Sequence, residues 1–283
     1  MNKPLVSVII PTFNEEKDIP FCIDSLKKQT FKNLEIIVVD DGSRDSTVKI
    51  VKSMKKVKLL IQSHLGPGSA RNLGAHNAKG KILVFVDADM TFDKEYIENL
   101  IKPLVENKEI IGTTHDNEIV LNINNIWSEC WGKIRVSPSD AKKVKIFRAI
   151  RKVDFLSRGG FDPKYGYADD QTLWFKYGLK PVVAHKTICY HKNPDTLRSV
   201  YKQSRWIGAS LSMGVLKIPI ISQLFIIISI FISPIAIFYL SIKKCFKFRK
   251  ISLLIPLLVF MTARYLGSIE GIIMKIYMGL NTR

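Results

Sequence analysis

Short apolar runs alternate with amphipathic stretches over the first ninety residues of the chain. The runs Leu5–Ile10, Leu34–Val39 and Ile82–Val86 are continuous and rich in β-branched residues, as in strands that are buried on both faces. Between them, Asp18–Gln29 and Ser46–Met54 place their apolar residues at helical spacing. This alternation predicts an α/β domain with a mostly parallel sheet that is covered by helices on both faces.

A different pattern begins near residue 215. Ile218–Leu240 is almost uninterrupted apolar sequence, long enough for a membrane span, and a helix apolar on every face is hard to bury in so small a domain. The second run, Ile251–Ala263, is shorter and then meets Arg264 and Glu270. This run either crosses the membrane as part of a longer tilted helix or forms a re-entrant segment.

These patterns predict two regions. Residues 1–212 form the α/β domain, with an interfacial helix near 196–212, and residues 213–283 form a membrane-associated helical region with segments at about 218–241 and 251–279. A cytosolic domain followed by one full span would place the basic residues between these segments outside, against the positive-inside tendency. Either the segments form a hairpin regardless, or the first dips so that the basic loop touches anionic headgroups. The basic residues are Lys243, Lys244, Lys247, Arg249 and Lys250.

The net charge predicts an anionic partner. Lys and Arg number 43 against 25 Asp and Glu, which gives +18, but no zinc-finger or aromatic RNA-binding signature accompanies the charge. We therefore expect a membrane and nucleotide phosphates as partners, and no nucleic acid. The four cysteines include no CxxC pair, and Met1–Ser7 lacks the apolar core of a signal peptide. Both features favour an α/β domain on the cytoplasmic face.

Polar clusters follow each of the three predicted strands. They are Pro11–Glu15, Asp40–Ser43 and Asp87–Asp89, and in a parallel sheet the carboxyl ends of the strands share one cleft. A helix cap explains any one of these turns, but three polar turns with repelling carboxylates favour a bound ligand. Asp87 and Asp89 offer hard oxygen ligands to a Mg²⁺ or Mn²⁺ that bridges substrate phosphates.

Four segments, VSVIIPTFNEE, EIIVVDDGSRDST, GPGSARNLGA and VFVDAD, resemble the nucleotide-binding half of family-two glycosyltransferases. The resemblance continues through Ser157–Asp162, Tyr167–Asp170 and Ser204–Trp206, and so covers about the first 210 residues. It implies the GT-A nucleotide-diphospho-sugar transferase fold, a Rossmann-like and mostly parallel sheet, followed here by membrane helices. The implied donor is a UDP- or GDP-sugar.

The resemblance also implies roles for individual residues. Asp89 and Asp87 would hold Mg²⁺ or Mn²⁺, with His191 as a further candidate ligand. The residues implied on the donor-nucleotide side are Pro11, Phe13, Glu15, Asp41, Arg71 and Asp87. The residues implied on the acceptor or diphosphate side are Gly160, Asp169, Arg205 and Trp206.

Asp170 matches the second member of the family's acidic pair, which serves as general base on the acceptor hydroxyl. Inverting transfer benefits from such a base, because the acceptor oxygen attacks the anomeric carbon opposite the leaving diphosphate. The alternative is a helix N-cap at Asp169 or Asp170, before the stretch Thr172–Phe175. Trp206 has its own alternative, as an anchor of an interfacial helix.

Residues 111–153 carry no motif. We expect their basic group to form a solvated helix, although an acceptor flap or a membrane-contacting face is an alternative that would include Trp127, Trp131 and Arg135. The basic group is Lys142, Lys143, Lys145 and Arg148.

Three functions remain open from the sequence. The first is an inverting glycosyltransferase that acts on a hydroxyl of a lipid-linked or membrane-proximal saccharide. The second is a polyprenyl-phosphate sugar synthase, whose phosphate acceptor needs no base. The third is a non-catalytic membrane module that binds nucleotide sugars.

Overall fold

The structure is a computed structural model that describes residues 3–211 and 219–278. The chain divides into two compact units. The first comprises residues 1–121, 134–163 and 169–191, and the second comprises residues 122–133, 164–168 and 192–283.

One sheet of nine strands forms the centre of the first unit. The strands are β1 (Val6–Thr12), β2 (Leu34–Asp40), β3 (Val57–Ile61), β4 (Ile82–Phe85), β5 (Met90–Phe92), β6 (Gly112–Val120), β7 (Ile134–Val136), β8 (Ala149–Arg151) and β9 (Val182–His191). Their order is β3-β2-β1-β4-β8-β6-β9-β5, and β7 pairs with β6.

The sheet is parallel over β3-β2-β1-β4, which confirms the parallel strands predicted from the N-terminal apolar runs. In this half Ile9 lies opposite both Ile37 and Phe85. Beyond β4 the sheet is mixed: β8 runs antiparallel to both β4 and β6, whereas β6 and β9 are parallel. β3 lacks a long apolar run because it is an edge strand and none of its residues is fully buried.

The described helices are α1 (Ile19–Lys27), α2 (Thr47–Ser53), α3 (Pro67–Asn77), α4 (Tyr96–Glu106), α5 (Ile126–Trp131), α6 (Lys152–Ser157), α7 (Thr172–Tyr177), α8 (Leu197–Leu211), α9 (Pro219–Phe248) and α10 (Leu254–Met278). Two apolar layers cover the sheet. Val8 and Ile10 of β1 pack with residues of α1 and α4, whereas the intervening Ile9 packs with residues of α3 and α6. The period of two along β1 thus places helices on both faces of the sheet, as predicted.

The second unit is helical and contains α5, α8, α9 and α10. Glycines let α8 and α10 approach closely: a Cβ at Gly208 would collide with the carbonyl of Ser268, and a Cβ at Gly271 would collide with the carbonyl of Arg205. Small residues at such crossings are typical of helices packed in a membrane. By packing, α8 belongs to this unit. The predicted domain boundary at 212 and the predicted segment limits at 218 and 279 lie outside the described residues.

Among residues 3–211 and 219–278, two helical stretches are long and apolar enough to cross a membrane, Leu224–Phe248 and Ile251–Ile276. In the most apolar part of each stretch, only 6% of the first and 28% of the second is buried. The expected basic loop is mostly helical: Lys243, Lys244 and Lys247 lie on the last turns of α9, because the helix continues beyond its apolar run to Phe248.

Candidate active site

The carboxylate of Asp87, just beyond β4, lies between two arginines. Arg71 Nη2 is 2.6 Å from Asp87 Oδ1, and Arg148 Nη1 is 3.2 Å from Oδ2. Burial opposes ionisation of this carboxyl, but the charges of Arg148 and Arg71 outweigh it and hold the pKa of Asp87 well below its usual value. Asp87 is therefore an anion across the physiological pH range.

Arg71 also reaches the acidic pair. It lies on α3, and its Nη1 is 2.9 Å from Asp169 Oδ1. Gly68, one turn earlier, permits this approach, since a Cβ there would lie 2.7 Å from Asp169 Oδ2. Three predicted site residues, Arg71, Asp87 and Asp169, are thus joined through one buried guanidinium.

Arg148 corrects the expectation of a solvated basic helix. Between α5 and α6 the only helical turn among the described residues is the 3₁₀ turn Ala141–Lys143, and Arg148 lies outside it, directly before β8. Arg148 is buried because its neighbours Phe147 and Ala149 belong to the apolar core. In the sequence Arg148 is a single arginine inside an apolar run, a pattern that indicates a buried side chain with a partner and not a solvated one.

Asp89 lies beside a histidine from β9. His191 Nε2 is 3.1 Å from Asp89 Oδ2, and His191 Nδ1 is 2.6 Å from Glu118 Oε1. Burial opposes protonation of the ring, yet Asp89 and hydrogen bonds to both carboxylates raise the pKa of His191 to about 9. The imidazolium therefore donates a hydrogen bond from each nitrogen.

This arrangement fits a divalent cation. Asp89 offers an oxygen and His191 a nitrogen 3.1 Å apart, and the site is reached through Asp89, which is 31% exposed, whereas His191 is buried. A cation at Nε2 would displace the Nε2 proton to solvent, and Nδ1–H would still donate to Glu118, which fixes the tautomer. The imidazole suits Mn²⁺ better than Mg²⁺, because Mg²⁺ prefers oxygen ligands.

A buried polar network lies behind His191. His115 Nε2 is 3.0 Å from Glu118 Oε2, and the hydroxyl of Tyr96 is 3.1 Å from His115 Nδ1. Burial opposes ionisation of Glu118, but hydrogen bonds from both histidines hold its pKa well below the usual value. His115, Glu118 and Cys189 place one donor atom each within 4.8 Å of one another, a set that could hold a metal ion, although all three are buried.

Asp170 differs from the other carboxylates of the site. It is partly buried, and its side chain makes no hydrogen bond to any described residue. Burial, with the neighbouring charge of Asp169, raises the pKa of Asp170 to about 7 despite the opposing charge of Arg71. The helix-cap alternative is not supported, because α7 begins after Gln171 and no side chain caps it.

The predicted nucleotide residues lie at the ends of β1 and β2. Asp41 is buried, and Oδ1 accepts hydrogen bonds from Leu65 N and Gln62 Nε2 at 2.8 and 2.7 Å. The ring centroids of Phe13 and His64 are 4.1 Å apart, so an aromatic surface lies beside this carboxylate.

Two further members of the predicted nucleotide set flank Phe13 in sequence. Pro11 is a buried residue of β1, and the backbone N–H of Glu15 donates to the hydroxyl of Thr47. Their contact with a nucleotide stays a prediction.

Gly160 lies in a turn that is fastened to α3. Its φ of +68° is in the left-handed region, and a Cβ would lie 2.5 Å from Asn72 Oδ1. Asn72 accepts from Phe161 N at 2.9 Å and donates to Phe161 O at 2.7 Å. This geometry explains the glycine structurally, and its place on the acceptor side stays a prediction.

Arg205 and Trp206 belong to α8 in the second unit. Arg205 Nη1 lies 3.3 Å from Glu270 Oε1 on α10. The ring of Trp206 meets that of Tyr167 edge-on, with centroids 4.9 Å apart. Their proposed contacts with the diphosphate or the acceptor stay predictions.

Glu118 and Arg148 are site residues that carry no motif in the sequence. Glu118 lies in a polar part of β6 whose pattern shows no alternation to mark a buried carboxylate. It is found only through the pairing of β6 with β9, which places Glu118 next to Cys189 and near His191.

Comparison with known proteins identifies the family to which this chain is similar. The family model described as glycosyl transferase family 2 matches residues 7–151, about half of the chain. The putative glycosyltransferase EpsH of Bacillus subtilis is 32% identical over 214 residues, covering 68% of this chain and 61% of that protein. A GalNAc(5)-diNAcBac-PP-undecaprenol beta-1,3-glucosyltransferase of Campylobacter jejuni is 29% identical over 223 residues, covering 73% and 69%.

A solved structure shows the same fold. It is the mannosyltransferase PcManGT of Pyrobaculum calidifontis in complex with GDP-Man and Mn²⁺, with a TM-score of 0.54 and 22% identity, covering 76% of this chain and 65% of that one. The chain spans about three fifths of the length of EpsH. The expected GT-A fold is confirmed, and the chain belongs to glycosyltransferase family 2.

Proposed function

We propose that this chain is an inverting, metal-dependent glycosyltransferase. It moves a sugar from a UDP- or GDP-sugar to a hydroxyl of a lipid-linked or membrane-proximal saccharide. The supporting observation is the contrast between two carboxylates near Arg71. Asp87 is held ionised by two arginines, whereas Asp170 has a pKa of about 7 and no hydrogen-bond partner among the described residues. Environments that separate pKa values in this way are typical of an acid–base assignment.

In this proposal Asp170 is the general base. It takes the proton of the acceptor hydroxyl while that oxygen forms its bond to the anomeric carbon. The bond from the anomeric carbon to the diphosphate oxygen breaks, and the nucleoside diphosphate leaves with the electron pair. A base with a pKa near the working pH is the most efficient, and such groups contribute about 10²–10⁴-fold to rate.

The donor end is assigned to residues at the carboxyl edge of the sheet. Asp89 and His191 would hold Mn²⁺ or Mg²⁺, and the ion would supply positive charge that offsets the charge of the diphosphate. Arg71 and Arg148 keep Asp87 ionised and fixed in position. Phe13 packs against His64, which contacts Asp41, and the ring of Phe13 offers a stacking surface for a nucleobase.

The acceptor and the location follow from the second unit and from one relative. Two helices of that unit are long and apolar enough to cross a membrane. The C. jejuni relative is named for an undecaprenol-linked acceptor. We therefore infer membrane attachment through α9 and α10, with the catalytic unit on the cytoplasmic face.

The acceptor class is tested with Asp170→Asn and a matched Asp24→Asn control on the exposed side of α1. Transfer from labelled UDP- and GDP-sugars is measured to a lipid-linked saccharide and, separately, to a polyprenyl phosphate. We expect Asp170→Asn to lose about 10²-fold or more of the transfer to the saccharide while it still binds donor. Transfer to polyprenyl phosphate that survives in Asp170→Asn would instead identify a polyprenyl-phosphate sugar synthase. Wild-type protein that binds donor but transfers to neither acceptor would point to a non-catalytic module.

A further inference from the structure

The second unit contains an arginine within an apolar helix that has no hydrogen-bond or ion-pair partner among the described residues. Arg264 lies in α10, and its guanidinium carbon is 4.3 Å from the ring centroid of Trp131 and 5.7 Å from that of Phe260. Its Nε is buried without an acceptor, and no guanidinium nitrogen bonds to a described residue. A charged residue inside an apolar membrane helix is costly and usually marks a functional site.

A second cation, Lys244, also lies near the ring of Phe260. Lys244 of α9 is 5.4 Å from the centroid of Phe260, and its Nζ donates to the carbonyl of Cys130 at 2.6 Å. Nζ also donates to the carbonyl of Trp131 at 3.4 Å, and neither of these two bonds gives the charge of Lys244 a carboxylate. Two cations from different helices thus share one aromatic cluster.

Carboxylates are scarce throughout this unit. It carries fifteen Lys and Arg residues but only Glu129, Asp195 and Glu270 as acids. Glu129 pairs with Lys250 at 2.5 Å, and Glu270 accepts from Tyr201 and Arg205.

Neither of the two other possible sources provides a carboxylate that pairs with Arg264. Asp195 is exposed and makes no ion pair within the described residues. The sequence outside the described ranges includes no Asp or Glu. A partly buried guanidinium without a counter-charge costs several kcal/mol, so an anion from outside the protein would stabilise it.

We propose that Arg264 and Lys244, with the ring of Trp131, bind the phosphate of an anionic lipid. The surrounding helices favour a ligand with an apolar tail, because α9 exposes nearly all of its apolar window. A guanidinium and a tryptophan together are typical of a membrane interface, where the ring packs against acyl chains and the cation meets the headgroup. This site goes beyond the proposed sugar transfer and does not depend on it.

The test is native mass spectrometry of the full chain in detergent with added lipid. The probes are phosphatidylglycerol, a polyprenyl phosphate, zwitterionic phosphatidylcholine and inorganic phosphate alone. The variants are Arg264→Gln and Arg264→Lys, with Lys244→Gln as a second variant in case Arg264→Gln fails to fold. Arg198→Gln is the matched control, since it removes an exposed arginine from the same unit.

We expect wild type and Arg198→Gln to retain one anionic lipid about tenfold more tightly than Arg264→Gln does, because a charge-assisted contact is lost. Arg264→Lys should recover part of that affinity. Preference for phosphatidylglycerol identifies a bilayer phospholipid as the source of the phosphate, and preference for polyprenyl phosphate identifies an acceptor lipid.

Equal retention by Arg264→Gln and Arg198→Gln would overturn the proposal. So would equal retention of phosphatidylcholine, or displacement of the lipids by inorganic phosphate at equal concentration. Donor binding is measured in the same samples, and because it belongs to the first unit, it should not change in Arg264→Gln. The lipid site and the proposed transfer can therefore fail independently.

Discussion

Arg148 lies against Asp87, with Nη1 3.2 Å from Oδ2. Asp87 belongs to a segment that the sequence identifies, whereas Arg148 comes from a stretch without a motif. The pair shows that the anionic form of Asp87 depends on a residue some sixty positions away in the sequence. Loss of Arg148 would leave the carboxylate of Asp87 paired with only one of its two arginines.

Removal of Arg148 should therefore destabilise the first unit. We expect Arg148→Met to lower the free energy of unfolding by about 2–3 kcal/mol, less than for an isolated buried pair because Arg71 still holds Asp87. The matched control is Arg158→Met, whose partner Asp154 is in an i,i+4 pair that is partly exposed. The control should change stability by about 0.5 kcal/mol or less. Thermal unfolding of both variants measures the difference, and equal effects would contradict a special role for Arg148.

The pH dependence of stability should reveal Asp170. The pKa of Asp170 is about 7 in the folded protein and near 3.8 when unfolded, so the folded state holds an extra proton between these values. The stabilisation that the protonated Asp170 gives to the folded state is therefore present in full below about pH 4 and is lost as the pH rises towards 7. Asp170→Asn should remove this loss and stabilise the protein at pH 8 by about 2 kcal/mol, allowing for partial exposure of the carboxyl.

Unfolding midpoints at pH 5 and pH 8 provide the measurement. The gain of Asp170→Asn over wild type should be larger at pH 8 than at pH 5. A constant difference at both values would show that Asp170 titrates normally. In the active enzyme, transfer should rise with pH through about 7, since the base works only when ionised.

Glu118 should act on the metal through His191. Its carboxylate fixes Nδ1–H of His191 at 2.6 Å and so aims Nε2 at Asp89. Loss of such an outer partner typically costs about 10–100-fold in metal affinity. We expect Glu118→Gln to weaken Mn²⁺ binding within that range, measured by paramagnetic resonance of free Mn²⁺. Glu106→Gln, on the exposed face of α4, is the control, and equal affinities for the two variants would exclude the positioning role.

Close packing of α8 on α10 should be sensitive to a single methyl group. A Cβ at Gly271 would collide with the carbonyl of Arg205, so Gly271→Ala should destabilise the second unit by about 1–3 kcal/mol. Leu266→Ala is the comparison, because Leu266 is 52% exposed on the same helix. Loss of secondary structure on heating, followed in detergent, distinguishes the two. A tolerated Gly271→Ala would mean that the helices do not pack this closely.

The sequence predicts the parallel half of the sheet well, because buried parallel strands have continuous apolar runs, as Val6–Thr12 and Leu34–Asp40 do. It predicts β6 to β8 poorly, since β6 shows no apolar alternation and β7 and β8 are three-residue strands that are stabilised by long-range pairing. The same reason hides Arg148 and Glu118, whose partners Asp87 and His191 are 61 and 73 residues away. Asp89 and Asp170 are marked in the sequence by their family resemblance, while their different environments depend on side chains that only the fold brings together.

Metal-dependent donor binding is the central claim, and calorimetric titration of UDP- and GDP-sugars with and without Mn²⁺ tests it most directly. Wild type and Asp170→Asn should bind one donor tightly only when Mn²⁺ is present, and Asp89→Asn should lose that dependence together with most of the affinity. Donor binding that is equally tight without metal, or unchanged in Asp89→Asn, would contradict the account.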